Sequence, residues 1–308
     1  MFLDRLVMAY TAWVALLVVV VRENVSAWPK ILGFHLLVLA VMMVLPKRGA
    51  PWETRKRPLR GGIRFFRHSY PLLLMVFFFE EVQQTVNALW PRAPYWFEGR
   101  LYASDRFLFG DLPSVLLNPS TGRLQDELMH AFYFSYYFIV IGGVVFAWLG
   151  SGSTRPGPAF ERTLTSVVTA FLLCFTAYPF LPARGPWENG ELMATLASFE
   201  GRVFTPVVEA IIERGAVSGG CFPSSHVAAS WAVVLGLAPF HRRAALVCGF
   251  FASGLSLACV YTRYHHGVDV PAGLLFGIAG AAIGSWASKR PSVERPADGG
   301  GDSEVVPS

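Results

Sequence analysis

Residues 244–261 read AALVCGFFASGLSLACVY, a stretch of 18 residues without a charged side chain. A helix needs about 20 predominantly apolar residues to cross a bilayer. The apolar residues are continuous rather than alternating with polar ones, which is not the pattern of a half-exposed β-strand. This stretch therefore predicts a membrane-spanning helix.

Seven further apolar runs have or approach the same length. They are Leu6–Val21, Ile31–Leu45, Tyr70–Trp90, Met129–Leu149, Leu164–Leu181, Ser225–Phe240 and Val268–Ser285. The first two are short for a span. The eight runs predict an all-α fold, a polytopic membrane bundle of about eight transmembrane helices.

The composition agrees with this fold. Of the 308 residues, 53% are hydrophobic and 15% are charged, whereas soluble domains carry about 25% charged residues. The mean hydropathy is +0.43. Disordered, collagen-like and disulfide-scaffold chains are excluded, and the four cysteines form no C-x-x-C pair. The pI of about 9.1 comes largely from loop residues, so it does not imply nucleic-acid binding.

The distribution of the basic residues predicts the orientation. Side A, where the N-terminus lies, carries 16 of the 26 Lys and Arg residues, and eight of them fall between Lys47 and Arg67. By the positive-inside rule, side A is cytoplasmic and holds both termini. Side B then faces the extracytoplasmic or lumenal space.

The same pattern predicts three parts of the chain. Residues 1–67 hold two N-terminal transmembrane helices and a basic cytoplasmic loop, residues 68–288 form the main membrane domain, and residues 289–308 form a disordered tail. A cleaved signal peptide is the alternative for the first run, because residues 25–27 resemble a cleavage site. Arg22 and Glu23 in that region argue against cleavage.

Three segments on side B concentrate polar residues. They are YPFLPARGPWE (178–188), CFPSSHVAAS (221–230) and VYTRYHHGVDVPAG (260–273). His226 and His265 are separated by 39 residues, enough for two antiparallel spans and a tight turn. Both histidines are therefore expected on the same face of the membrane.

These residues suit phosphoester transfer through a phosphohistidine. One neutral His attacks phosphorus, a protonated His donates to the leaving oxygen, and a carboxylate orients the nucleophilic ring. His265 and Asp269 stand four residues apart, on one face of a helical turn. Ser224 and Ser225 follow a proline at a predicted helix start with free N–H groups, and Arg184 offers a fork of donors suited to phosphate.

The three segments resemble the signature motifs of the type 2 phosphatidic acid phosphatase superfamily. PSSH stands for its P-S-G-H, and His265-x-x-x-Asp269 for its H-x-x-x-D. The doublet His265-His266 and the PARGP element are most similar to the inositol phosphorylceramide synthase branch. The resemblance runs from the third apolar run to the eighth and implies a six-helix catalytic core.

The resemblance also implies roles and a reaction. His265 is the expected nucleophile, His226 the acid/base and Asp269 the orienting carboxylate. The expected phosphate ligands are Ser224, Ser225 and Arg184. It implies a metal-independent phosphatase or phosphotransferase without a cofactor, acting on a membrane lipid phosphate and passing the phosphoryl unit to water or to a polyol or lipid alcohol. Neither nucleic acid nor an obligate protein partner is inferred.

The sequence departs from the family pattern at two cationic positions. The Lys expected seven residues before the first-motif Arg is Ala177, and the Arg expected six residues before the third-motif His is Cys259. Arg263 is a candidate substitute for binding phosphate, but two residues before His265 it would point away on a regular helix. The less cationic pocket favours a transferase-like enzyme over simple phosphatidate hydrolysis.

Two alternatives concern the histidines. His266 is a second candidate nucleophile, although it lies three residues rather than four from Asp269. A zinc site is conceivable from His226, His265, His266 and Asp269, but their spacing matches no common zinc pattern. The expectation is therefore a site without metal.

The third run carries further polar residues. Glu80, Gln84 and Asn87 share one helical face. They are candidate contacts for a substrate headgroup or an acceptor, and the alternative is a buried polar seam between helices. Glu80 and Glu81 are also the only support for a non-enzymatic alternative, a membrane scaffold or transporter with a vestigial, inactive site.

Overall fold

The computed structural model describes residues 2–44, 60–91, 96–118, 122–150 and 156–289. Helices dominate these ranges, and within them the only β-type pairing is an isolated bridge from Ala183 to Gly219 and Gly220. The helices are, in chain order, α1 (Phe2–Val20), α2 (Trp28–Val44), α3 (Arg60–Leu89), α4 (Glu98–Phe109), α5 (Pro113–Leu116), α6 (Arg123–Tyr137), α7 (Gly143–Leu149), α8 (Pro158–Ala177), α9 (Gly190–Ala194), α10 (Phe204–Gly215), α11 (Ser225–Leu237), α12 (Arg242–Tyr261) and α13 (Asp269–Ser288).

Each of the eight predicted apolar runs coincides with a helix. Six spans are long and apolar enough to cross a membrane, namely α1, α3, α6–α7, α8, α12 and α13. The remaining two, α2 and α11, are shorter, with 17 and 13 residues. A π-helical turn, Phe138–Gly142, joins α6 and α7 into one span. The predicted all-α, multi-pass membrane bundle is confirmed.

The basic segment, expected to be a loop as far as Arg67, is helical from Arg60 onward. Helix α3 begins at Arg60, ten residues before the predicted apolar run, so the predicted boundary at residue 67 falls inside this helix. Residues 60–69, RGGIRFFRHS, mix basic and apolar side chains, and long basic side chains can reach the polar region while their stems lie along the apolar one. Residues 45–59 and the predicted tail after residue 289 lie outside the described ranges.

Glycines allow the central helices to approach closely. Helix α13 packs against α8 and α11. A Cβ atom on Gly277 would lie 2.6 Å from the carbonyl oxygen of Ala228, and one on Gly280 would lie 2.6 Å from that of Ser166. Small residues permit such contacts between membrane helices. The close packing places the beginnings of α11 and α13 side by side.

The N-terminal helices pack outside this centre. Helix α1 packs against α2 and α3, and the Tyr70 hydroxyl donates to Asp4 at 2.7 Å. His35 of α2 lies 3.2 Å from the Glu81 carboxylate of α3, and both side chains are buried. This polar pair holds α2 against one face of α3. The opposite face of α3 is left to line the interior of the bundle.

Candidate active site

His265 lies in the turn between α12 and α13, held by the carboxylate of Asp269. The ring Nδ1 is 3.0 Å from Asp269 Oδ2, and the same oxygen accepts from the His266 backbone N–H at 2.9 Å. The other ring nitrogen, Nε2, lies 3.2 Å from the Ser224 hydroxyl. With the Nδ1 proton directed at the carboxylate, Nε2 carries the lone pair. His265 and Asp269, four residues apart, thus lie in contact, as their spacing predicts.

His226 faces His265 from the first turn of α11. The two ring centroids are 5.8 Å apart. His226 Nε2 lies 3.3 Å from the Tyr133 hydroxyl, and the Tyr136 ring is 4.4 Å away. Its Nδ1 has no hydrogen-bond partner among the described residues. The pair predicted from the 39-residue separation is therefore brought together.

The two histidines open onto a cavity of about 440 Å³. It continues between α3 and α6–α7, where most of its lining is apolar. The wall includes Phe65, Leu72, Val76, Ile141, Val145, Phe171 and Phe175. At the end remote from the histidines, the rings of Phe65 and Trp148 are in contact, with centroids 5.6 Å apart. The cavity is thus a long apolar groove with polar chemistry at one end.

The beginning of α11 supplies hydroxyls and backbone donors beside the histidines. Ser224 is the N-cap, and its hydroxyl accepts from the Val227 N–H at 3.4 Å. Ser225 lines the cavity. The first N–H groups of a helix lack intrahelical partners, and helix N-termini favour anions. Both predicted serines therefore lie where a phosphate could bind.

Arg184 lies near the site, but its guanidinium is occupied by another group. It forms an ion pair with Glu98 of α4, with Nε 2.6 Å from the Glu98 carboxylate, and it stacks over Trp96. Among the described residues that line the cavity, its neighbour Gly185 is present and Arg184 is not. Sequence reasoning missed Glu98, because no local pattern links it to a residue 86 positions away.

Arg263 points away from the cavity. Its backbone has a positive φ of 67°, and its guanidinium donates to the Ala197 carbonyl at 2.6 Å and to Asn118 at 3.2 Å. The Phe199 ring lies 4.2 Å beneath it. The side chain is buried and ties three side-B segments together. Direct contact with a phosphate beside His265 does not fit this placement.

Asp105 of α4 is a buried carboxylate that sequence reasoning missed. It accepts from the backbone N–H groups of Gly267 and Val268, both at 2.9 Å. Burial raises the pKa of Asp105, and these two N–H donors partly offset the effect. His266 lies beside it, with Nδ1 3.8 Å away, and its Nε2 is 3.1 Å from the Arg184 carbonyl oxygen. His266 thus faces the loop rather than the cavity, which disfavours it as the nucleophile.

Cys221 is a further residue to which the sequence assigned no role. Its thiol donates to Asp269 Oδ2 at 3.0 Å and lies 3.5 Å from His265 Nδ1. It lines the cavity although it is almost fully buried. Burial, and then the charge of Asp269, raise the pKa of Cys221 well above its usual value. Its position outside the apolar runs was the only available signal.

The three polar residues predicted to share one face of α3 do not all reach the cavity. All three side chains are exposed, but only Glu80 is among the described residues that line the cavity. A buried seam of all three is therefore excluded. A second carboxylate, Glu188, lines the cavity near the histidines and accepts from the Ser218 hydroxyl at 2.6 Å. Burial raises the pKa of Glu188.

Comparison with known proteins identifies the family. Residues 99–283 match the PAP2 superfamily. A PA-phosphatase related-family protein of Dictyostelium discoideum is 27% identical over 203 residues, which are 56% of this chain and 37% of the relative, so the chain spans well under half of that protein. The crystal structure of Aquifex aeolicus LpxE aligns with 56% of this chain and 92% of its own, at 15% identity and a TM-score of 0.42. The matched residues include all three motifs and both histidines, and the chain belongs to the PAP2 superfamily.

Proposed function

We propose that the protein is an integral-membrane phosphoesterase that cleaves a lipid phosphate through a phosphohistidine on His265. The observation that carries this proposal is the position of His265 Nε2. This nitrogen is oriented through Nδ1 by Asp269 and faces His226 at the polar end of an otherwise apolar groove.

In the first step, the Nε2 lone pair attacks phosphorus and the bond to the leaving oxygen breaks. Protonated His226 donates its proton to that oxygen, so the lipid leaves as an alcohol. The positive charge that develops on the His265 ring is stabilised by Asp269. His226 has no carboxylate partner among the described residues. The substrate phosphate itself is therefore the anion that favours its protonated form.

In the second step, neutral His226 accepts a proton from water or an alcohol as that oxygen attacks the phosphohistidine. The P–N bond breaks, and its electron pair returns to Nε2. Water yields free phosphate, and an alcohol yields a new phosphoester. His226 ends the cycle protonated, as it began.

The first turn of α11 holds the phosphate oxygens in this scheme. Backbone N–H groups, with the hydroxyls of Ser224 and Ser225, supply donors that need no metal. Arg184 contributes only if it exchanges Glu98 for the substrate phosphate. Arg263 acts as a support for the loops rather than as a ligand.

The groove favours a lipid over a soluble phosphate. It leads from the histidines between α3 and α6–α7 with apolar side chains along its walls, and burial of each methylene contributes about 0.8 kcal/mol. The name of the Dictyostelium relative, a PA-phosphatase related-family protein, agrees with this substrate class. The basic residues of side A favour an active site on the extracytoplasmic or lumenal face.

Transfer to an alcohol acceptor, either a polyol or a lipid alcohol, is a second candidate. Two carboxylates, Glu80 and Glu188, line the cavity, and carboxylates accept hydrogen bonds from hydroxyl groups. The pocket also lacks a free guanidinium among its described lining residues. A pocket with these two features suits a hydroxyl-rich acceptor beside the phosphohistidine. A strongly cationic phosphatase pocket would suit it less well.

The experiment is a product analysis with purified protein in detergent or nanodiscs. Phosphatidate and other lipid phosphates are supplied with and without inositol or glycerol, and the chelator EDTA is present throughout. We expect release of phosphate, or of the acceptor's phosphoester, that is lost in His265→Ala. His241→Ala, in the turn between α11 and α12 and away from the site, is the matched control. Equal turnover in His265→Ala would refute the proposal.

A further inference from the structure

We propose that Cys221, His265 and Asp269 form an inhibitory binding site for a thiophilic divalent metal ion, of which Zn²⁺ is the physiological representative. Three ligand atoms from these side chains already form a small triangle. Cys221 Sγ to Asp269 Oδ2 and His265 Nδ1 to Asp269 Oδ2 are both 3.0 Å, and Cys221 Sγ to His265 Nδ1 is 3.5 Å.

This triangle is close to one face of a tetrahedral zinc site. Zinc binds sulfur at about 2.3 Å and nitrogen or oxygen at about 2.0–2.2 Å, which sets neighbouring ligand atoms about 3.2–3.6 Å apart. Two of the three edges need to lengthen by only a few tenths of an ångström. Thiolate, imidazole and carboxylate are also the donor types that zinc prefers.

Two further observations favour a ligand at this position. Asp269 Oδ1 is buried without a hydrogen-bond partner among the described residues, so the carboxylate has unused capacity. Cys221 and His265 both line the cavity, which gives a metal ion a route in and leaves its fourth position to a water molecule. This set differs from the four residues considered from sequence, because Cys221 takes the place of His226 and His266.

Metal binding would block the nucleophile through its tautomer. The ion takes the lone pair of His265 Nδ1, so the neutral ring must carry its proton on Nε2. The nitrogen that faces the substrate then has no lone pair with which to attack phosphorus. Cys221 releases its thiol proton to solvent as it binds, and no oxidant or reductant is required. The bound ion is therefore an inhibitor of this site and not a cofactor.

Binding can be tested without turnover. Co²⁺ is titrated into purified, metal-free protein, and the thiolate-to-cobalt charge-transfer absorption is recorded for wild type, Cys221→Ser and the control Cys248→Ser, whose thiol lies away from the site on α12. We expect the band in wild type and Cys248→Ser and its loss in Cys221→Ser. No band in wild type, or an equal band in Cys221→Ser, would overturn the proposal.

Inhibition is then measured with Zn²⁺ on the same proteins, relative to the metal-free rate of each. This second arm rests on the proposed function. We expect inhibition that EDTA reverses and that needs at least tenfold more Zn²⁺ in Cys221→Ser. Equal sensitivity of the two proteins would exclude Cys221 as a ligand. If no lipid phosphate is turned over, the proposed function fails, and the cobalt spectra still decide the metal site.

Discussion

His265 depends on two carboxylates, one that contacts its ring and one that holds the loop around it. Asp269 orients the ring directly. Asp105 fixes the backbone of the following residues, Gly267 and Val268, from another helix. Leaving a buried hydrogen-bonding group without its partner costs about 1–3 kcal/mol of free energy. Asp105 is therefore a positioning residue, because it holds the loop from which Asp269 orients His265.

Asp105→Asn tests this positioning role. An amide can accept from one of the two N–H groups but presents its own donor to the other, so the loop should shift. We expect the rate constant kcat for the lipid phosphate to fall about tenfold or more, by the cost above, with little change in KM. Asp111→Asn, at a half-buried position just after α4, is the matched control. An unchanged kcat in Asp105→Asn, with normal folding by size-exclusion chromatography, would remove this role.

The residues that could be predicted are those whose spacing determines their contact. The i,i+4 relation gave the His265–Asp269 pair, and two antiparallel spans gave His226 opposite His265. Arg263 is expected from its spacing to point away from the site, and it does. The direction of Arg184 could not be predicted, nor could the partners of the two arginines, Glu98 and Ala197, because no local pattern connects these segments.

At the scale of elements, α3 forms one wall of the groove although it precedes the stretch that matches the family. Its opposite face is held by α1 and α2 through Tyr70 and the His35–Glu81 pair. Facing it, the span α6–α7 contains a π-helical turn, an irregularity that often occurs at functional sites. The N-terminal helices thus contribute to the shape of the groove.

Val145→Phe tests the groove as the site of a lipid chain. Val145 lines the groove and stands three residues before Trp148, which contacts Phe65, and a larger ring would reduce the space. We expect the ratio of kcat/KM for dipalmitoyl over dioctanoyl phosphatidate to fall about tenfold, as expected when one or two methylenes at about 0.8 kcal/mol each lose their burial.

Leu149→Phe introduces the same ring four residues further along the same helix, at a position that is exposed and outside the groove lining. It should leave that ratio unchanged. Equal ratios in Val145→Phe and wild type would place the lipid chain elsewhere.

Apolar runs predicted the membrane helices well, because length and hydropathy alone define a span. The sequence was less informative about shorter elements. Helix α10 was not predicted, since its polar residues gave no span-length run. The early start of α3 at Arg60 was also missed, because a helix can continue beyond the apolar segment into basic residues.

At the scale of the whole molecule, the side-B segments gather at one end. Helix α4, the loop after α8 and the turn after α12 are joined there by Glu98, Asp105 and Arg263. The exposed Phe107, Leu108 and Phe109 at the end of α4 fit a position at the membrane interface. The active site lies at the end of α12 opposite to Arg242 and Arg243, two of the basic residues on which the predicted orientation depends.

Cysteine labelling in intact cells tests this orientation. In a chain without its four native cysteines, Glu191→Cys should react with a membrane-impermeant maleimide from outside, because Glu191 is exposed beside the site. Arg243→Cys, exposed at the start of α12, should react only after the cells are permeabilised. Outside labelling of Arg243→Cys alone would reverse the topology and put the active site in the cytoplasm.

The central claim is that phosphorus becomes bonded to His265. The most direct measurement is a rapid acid- and alkali-quench experiment with a radiophosphorus-labelled lipid phosphate, followed by mapping of the labelled peptide. We predict a phosphoenzyme that is labile in acid and stable in alkali, as expected for a P–N bond. It should map to residues 264–266, be lost in His265→Ala, and form slowly in His226→Ala. A labelled protein in His265→Ala, or an acid-stable phosphoenzyme, would contradict the account.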